Sequence, residues 1–331
     1  MEHSELTSKV GQMDEAGFVA LALELFRYQY GNNPVYRRFV DLLGIHPEQV
    51  GDLSQIPFLP ASAFKQEWVV TGIFTAEREF RSSGTTGQQV SRHLVRSEAW
   101  YRTVLLRAFE HFVGKPQDLV IFGLMPDEDE RPHSSLVFMT RQLIEASGHA
   151  LNGFFLRQPN ELARRIQRCE SEGMEGLLFG ITPALLDFAE RYAMPLQRVR
   201  IMETGGMKGQ REELSRTELH ERLMQAFGLP YIMSEYGMTE LLSQAYAIRD
   251  GRFYCPPWMK VLVRDPADPL RVMQGPSDGA LNIIDLANVD SCCFLATDDA
   301  GCLHADGSFE VWGRLDHAEL RGCSLLLSDT G

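Results

Sequence analysis

The chain has 331 residues, 44% of them hydrophobic and 23% charged, with a formal net charge of -13. A chain of this length buries a large core without disulfide or metal staples, and the composition is that of a globular protein. The acidic balance excludes a protein that works by gripping a phosphate backbone, which needs a concentrated basic footprint, so nucleic acid is not an expected partner.

The first twenty residues interleave Glu2, Glu5, Lys9, Asp14 and Glu15 with apolar side chains and lack the apolar core of a signal peptide, so a cytoplasmic location is expected. Phe18, Leu21, Leu25 and Tyr28 form an amphipathic stripe that stops at the break Gly31-Asn32-Asn33-Pro34, and a second helix is predicted up to Leu43. Pro57 and Pro60 lie in a mixed stretch that runs to Arg81. Residues 1–80 therefore read as a helical lead-in. From residue 119 to 233, short apolar runs alternate with helical patterns. Strands are predicted at residues 119–125, 151–156, 177–181, 199–202 and 231–233, and helices at 134–146, 161–169 and 218–227, the last stopped by Gly228. Thr182-Pro183 reads as N-cap and first helical residue. Strands separated by helices imply an α/β fold, a doubly wound and mostly parallel sheet covered on both faces, over residues 81–245. Residues 246–331 change to strands at 259–263, 280–286 and 309–312, punctuated by Asp265-Pro266, Gly275-Pro276, Asp278-Gly279 and Asp306-Gly307, and read as a β-rich subdomain of the same single catalytic domain. No apolar run approaches the length of a membrane span. The six cysteines, Cys169, Cys255, Cys292, Cys293, Cys302 and Cys323, show no C-x-x-C and no zinc-type pairing with the histidines, and read as reduced thiols.

Ligands of open α/β sheets bind beyond the carboxyl ends of the strands, which directs attention to the loops after residues 125, 181, 202 and 233. Three segments carry chemistry. In Arg81-Ser82-Ser83-Gly84-Thr85-Thr86-Gly87, two glycines and four hydroxyls crowd together. Glycines let backbone N–H groups converge on an anion and hydroxyls add donors, although the residues alone also fit a solvated turn. Gln88 and Gln89 stand where a P-loop would need Lys and Ser or Thr. In Ser234-Glu235-Tyr236-Gly237-Met238-Thr239-Glu240, Thr239 can donate to a phosphate and Glu240 can hold Mg²⁺, unless Thr239 is only a helix cap. In Thr297-Asp298-Asp299 and Gly313-Arg314-Leu315-Asp316, Asp298 can accept from both ribose hydroxyls and Arg314 can donate to sugar or phosphate; a surface ion pair in a hairpin is the plain alternative.

In this order the three segments resemble the adenylate-forming enzymes, the superfamily of acyl-CoA synthetases, luciferases and peptide-synthetase adenylation domains. The turn Glu203-Thr204-Gly205-Gly206 is similar to the loop that lays backbone against adenine there. Closer still is the resemblance to the acyl-protein synthetases, the fatty-acid to luciferin-component ligases of bacterial luminescence. It is carried by Leu23-Glu24-Leu25-Phe26-Arg27-Tyr28-Gln29, Asn33-Pro34-Val35-Tyr36, Ile56-Pro57-Phe58-Leu59-Pro60, Asp285-Leu286-Ala287-Asn288 and Glu319-Leu320-Arg321-Gly322-Cys323-Ser324-Leu325-Leu326. The resemblance implies the large N-terminal domain of an adenylate-forming enzyme. It implies ATP and Mg²⁺, and conversion of a carboxylic acid, in that family a fatty acid, to an acyl adenylate. It also implies an acyl thioester on Cys323 and delivery to an acyl-reductase or acyltransferase partner. On this reading Ser82, Ser83, Gly84, Thr85, Thr86, Gly87, Gly205, Gly206, Tyr236, Gly237 and Asp298 bind nucleotide, with Asp299 next in line for the ribose. Thr239, Glu240, Arg314 and Cys323 act in the chemistry and Glu240 takes the metal. Phe122, Phe179 and Tyr236 are candidates for the acyl pocket. Two departures stand out. Larger superfamily members follow the glycine loop with Pro-Lys, where this chain has Gln88-Gln89-Val90-Ser91-Arg92. Their lid domain, with its adenylation lysine, also has no counterpart within these residues. Arg92, Lys65, Lys208 and Arg314 are the candidate replacement cations. The other readings are a CoA ligase of the phenylacetate or capsule-biosynthesis kind, and a non-catalytic nucleotide-binding interaction protein.

Overall fold

The computed structural model describes residues 3–13, 15–83, 89–205 and 214–315. At its centre six strands lie in the order Gly153–Phe154, Val120–Leu124, Gly176–Ile181, Val199–Thr204, Met233–Tyr236 and Ala245–Ala247. The first five run parallel and the last is antiparallel to its neighbour. Continuous apolar runs such as Val120–Leu124 form these strands because both faces are covered, so there is no polar face to alternate with. Val120, Phe122 and Leu124 pack with Ile166, Leu185 and Phe227 of helices Pro159–Ser171, Thr182–Arg191 and Arg216–Phe227. Ile121 faces the other way, into a core shared with helices Glu98–Phe112 and Ser135–Ser147.

Helix ends follow local chemistry. Ser134 and Ser97 cap their helices by accepting N–H bonds from Val137 and Trp100, and Ser215 with Glu218 forms a capping box. The expectation for Thr182 is corrected. Ile181 is the N-cap, and Thr182 is helical and buried, its hydroxyl donating to the Gly205 carbonyl at 2.8 Å.

The second sheet runs Leu59–Pro60, Phe294–Leu303, Ser277–Asp285 and Met259–Arg264, with Phe309–Arg314 paired to the later half of Phe294–Leu303. The strand expected at 309–312 thus extends through Arg314, and Thr297 to Asp299 sit inside a ten-residue strand. The strand expected at 231–233 is Met233–Tyr236, so half of the segment read as its following loop is strand. The short strand Leu59–Pro60 runs parallel to Leu295 and Ala296, and Tyr36 stacks on Phe294 at 6.1 Å, so the N-terminal residues pack on the second sheet. A hairpin of Arg78–Arg81 and Arg92–Val95 brackets the Ser/Thr/Gly segment. Among the described residues, no helix is long and apolar enough to cross a membrane.

Candidate active site

The carboxyl ends of Val199–Thr204 and Met233–Tyr236 lie side by side, pairing Glu203 with Ser234 and Thr204 with Glu235. The Thr204 hydroxyl donates to the Glu235 carboxylate. Glu235 is only 6% exposed, and burial, with Glu203 as a second negative charge, pushes its carboxyl up to about 7. Burial would raise Glu203 as well, but His220, Arg216 and Ser234 together hold it below the usual range. Of the two neighbouring acids, Glu203 keeps its charge and Glu235 tends to keep its proton. A Cβ at Gly237 would lie 2.6 Å from Glu235 Oε1, so a side chain there would have to displace that carboxyl. Gly205 ends the neighbouring strand in the left-handed region, at φ +76.

The turn from Gly237 to Glu240 is held from outside. The His93 ring lies against the Thr239 carbonyl, Nδ1 to O 2.7 Å, and its Nε2 faces Asn288 Oδ1 at 3.1 Å. The Asn288 amide donates to the Glu240 carbonyl at 2.7 Å and to the Cys292 carbonyl at 3.0 Å. Full burial pushes His93 down to about 4 despite these contacts, so the neutral ring is the native form at neutral pH. Backbone fixation leaves the Thr239 and Glu240 side chains to other work. The Glu240 carboxyl is raised by burial and opposed by a hydrogen bond from Ser91 and by the charges of Arg314 and Lys65. Ser91 in turn donates its N–H to Ser82 Oγ at 2.9 Å, which ties the start of the hydroxyl-rich loop to the same place. Ser83 follows at the exposed rim. Arg92 does not join them. It sits between Ser91 and His93 at the start of its strand and lies over the Trp68 ring, 3.9 Å from its centroid.

Tyr236 connects the two sheets through a 2.7 Å hydrogen bond from its hydroxyl to Asp299 Oδ2, and its ring packs edge-on against Phe253 and Phe309. Arg314 is the cross-strand partner of Asp299, with Nε 3.8 Å from Oδ1. Asp298 is the ribose candidate ranked first above, but Asp299 is the one brought to Tyr236 and Arg314. The Asp298 backbone carbonyl accepts from the Leu315 N–H at 2.6 Å. Side chains alternate along a strand, so the two carboxylates point to opposite faces. Phe122 faces one side of the central sheet, whereas Phe179 faces the other and belongs to the same core as Tyr236, so the three do not share one face. Gly84, Thr85, Thr86, Gly87, Gly206, Lys208 and Cys323 lie outside the described residues.

Ser91, His93, Glu235 and Asp285 enter the site without having been singled out as functional in the sequence. Ser91 lies two residues before His93, at the entry to the strand Arg92–Val95, and that spacing was the available signal. Asp285 and Asn288 were visible only as part of a shared phrase.

No protein-family model matches the chain. It is 26% identical over 326 residues, 92% of its length and 85% of the relative's, to the long-chain-fatty-acid–luciferin-component ligase of Vibrio harveyi. In fold it is similar to an open conformation of 2-hydroxyisobutyryl-CoA ligase in complex with 2-HIB-AMP and CoA, with a TM-score of 0.67 and 14% identity over 92% of this chain and 71% of that one. It is also similar to ATP-bound MatB from Rhodopseudomonas palustris, with a TM-score of 0.55 and 16% identity, covering 71% of this chain and only 47% of MatB. The architecture is therefore that of the N-terminal domain of adenylate-forming enzymes.

His93 and Glu235 give opposite pH dependences. His93, depressed from 6.5 to about 4, contributes stability that is full above its unfolded pKa and is lost as pH falls toward 4. Glu235, raised from 4.5 to about 7, contributes stability that is full at low pH and is lost as pH rises through 7. Relative to the wild type, Glu235→Gln should gain stability as pH rises between these limits and His93→Gln should lose it, each by up to about 1.4 kcal/mol per pH unit. Urea midpoints across the range check this; variants whose curves run parallel to the wild type would contradict it.

Proposed function

We infer that this chain, built on the adenylate-forming fold and similar along most of its length to a luciferin-component ligase, is an ATP-dependent ligase. It activates a carboxylic acid as its acyl adenylate and passes the acyl group to a thiol. One observation carries the reading. Glu240 is a buried carboxylate set between a hydroxyl hairpin and two cations, at the end of a turn whose backbone is fixed by His93 and Asn288. Such a site is organised around oxygen anions and their counter-charges.

A carboxylate oxygen of the acid bonds to the α-phosphorus as the bridging oxygen to pyrophosphate leaves. Ser82, Ser83 and the loop that follows donate to the phosphates, Thr239 donates to the α-phosphate, and Lys65 and Arg314 offset charge on the departing group. Tyr236, Gly205 and Gly237 border the base, and Asp299 accepts from the ribose hydroxyls, the role first considered for Asp298. The Glu240 carboxylate fits Mg²⁺, which takes one or two carboxylates together with substrate phosphates. When bound, that ion supplies positive charge against the triphosphate. A thiolate then adds to the acyl carbon and AMP leaves. Burial raises all five described thiols, Cys169 to about 11 and Cys292 to about 12, with Cys255, Cys293 and Cys302 also shifted up. None is poised as a nucleophile. That supports Cys323 as the acceptor; the likeness to a fatty-acid ligase supports a fatty acid as substrate, and we propose with it a reductase or acyltransferase protein as receiver and the cytoplasm as location.

Acid-dependent ATP/pyrophosphate exchange over a panel of fatty and short acids tests the activation step. Glu240→Gln should lower exchange by about 100-fold, a loss typical of removing a group that stabilises the transition state, while leaving the protein folded; unchanged exchange sinks the assignment.

The ribose contact is checked by measuring ATP and pyrophosphate binding in two variants. Asp299→Ala should weaken ATP about tenfold or more and leave pyrophosphate nearly unaffected, as expected for loss of charge-assisted bonds to the sugar. If Asp298→Ala shows the selective loss instead, the ribose sits on the other face.

Cys323→Ser should abolish hydroxylamine-sensitive acyl labelling and leave exchange intact, because activation precedes thiol attack. Labelling that persists, or maps to another cysteine, removes Cys323 from the scheme, and turnover that requires CoA would move the chain to the CoA ligases.

A further inference from the structure

The second sheet holds a group of side chains that the activation chemistry does not use. Cys302, near the end of Phe294–Leu303, has Asp278 as its cross-strand neighbour on one side and Glu310 on the other. His304 follows two residues after Cys302. Its Nε2 lies 3.5 Å from Cys302 Sγ and 3.0 Å from Glu310 Oε1, and the three ligand atoms all fall within 4.8 Å of one another. For bonds of about 2.3 Å to sulfur and about 2.0 Å to nitrogen, tetrahedral angles place those two donors roughly 3.5 Å apart.

The backbone fixes this arrangement. The register shifts at Ala300 and Gly301, where a Cβ on Gly301 would lie 1.9 Å from the Glu310 carbonyl oxygen, so only glycine lets the two strands approach so closely. The turn beyond is closed by the His304 N–H donating to the Ser308 carbonyl at 2.8 Å, and Asp306 accepts from the Ser308 N–H and hydroxyl. Cys302 is 8% exposed, while the His304 and Glu310 side chains are 25% and 34% exposed, which leaves an open side for entry and for a fourth ligand. A partly exposed His–Glu contact contributes little on its own, and it does not require a thiol against the same ring nitrogen.

We propose that Cys302, His304 and Glu310 form a binding site for a divalent transition metal of the zinc class, with water as the fourth ligand. Thiolate, imidazole and carboxylate together suit zinc rather than the hard magnesium ion assigned to Glu240. On binding, the Cys302 thiol gives its proton to solvent and His304 presents the Nε2 lone pair, so metal uptake releases protons. The ion would clip together the two strands that carry Asp299 and Arg314 three and four residues away from its ligands. The site does not depend on the ligase reading.

Cobalt(II) added to the metal-stripped full chain, without ATP, tests it. One equivalent should produce the ligand-field bands of a tetrahedral centre and a thiolate-to-cobalt charge-transfer band, with displacement by zinc and a raised Tm. Cys302→Ser should abolish the charge-transfer band. His304→Ala and Glu310→Gln should each weaken zinc by more than about tenfold, since loss of even a group that only supports a ligand costs about that much. The proposal is overturned if no stoichiometric cobalt spectrum forms, or if the band survives in Cys302→Ser.

Discussion

The turn from Asp285 to Asn288 is the constraint on which the site depends. Asp285 is fully buried and accepts N–H bonds from Leu242, Ser243 and Ala287 and the hydroxyl bond of Ser243. Its side chain thereby fixes the segment that follows Glu240. Asn288 fixes Glu240 itself, and the His93 ring beside it meets the carbonyl of Thr239. From below, Gln29 donates to the carbonyls of Asn288 and Val289 and accepts from the Cys293 N–H, so the long N-terminal helix holds the turn in place. A buried polar network of this kind costs free energy unless every member is satisfied. Here the partners come from the N-terminal helix, the hairpin and both sheets, so the site forms only when all of them have assembled.

That scaffold explains how an acidic protein can host a reaction among phosphates. The net charge of -13 opposes a triphosphate at long range. Locally the balance is different. Glu235 is inclined to stay protonated and Glu203 is covered by Arg216 and His220, while the charges of Lys65 and Arg314 favour the Glu240 carboxylate. The Tyr236 hydrogen bond to Asp299 joins the end of Met233–Tyr236 to the strand Phe294–Leu303, so the two sheets meet at one surface, the one proposed to receive a nucleotide.

Much of the α/β core was legible because parallel strands covered on both faces are continuous apolar runs, and Val120–Leu124 or Gly176–Ile181 can hardly be anything else. The motif segments stood out by their residue types, and two of them, around Tyr236 and Asp299, meet in the structure. What could not be read was orientation. Whether Asp298 or Asp299 faces Tyr236 depends on a strand phase that no local pattern fixes, because Thr297 to Asp299 fall inside a strand with polar residues on both faces. Arg92 looked like a free cation, but a neighbour 24 residues earlier in the chain, Trp68, claims its guanidinium. His93 and Asn288 act through backbone carbonyls almost 150 and about 50 residues away, a long-range role that sequence spacing does not encode.

The central claim is that the segments around residues 82, 205, 236–240, 299 and 314 form one acyl-adenylate site. It is tested most directly by a crystal structure of the chain with a hydrolysis-resistant acyl-sulfamoyl adenosine. The account predicts the ribose hydroxyls on Asp299, the sulfamoyl group beside Thr239 and the base against Gly205 and Tyr236. An analogue seated elsewhere, with Glu240 and Asp299 making only the contacts described here, would contradict it.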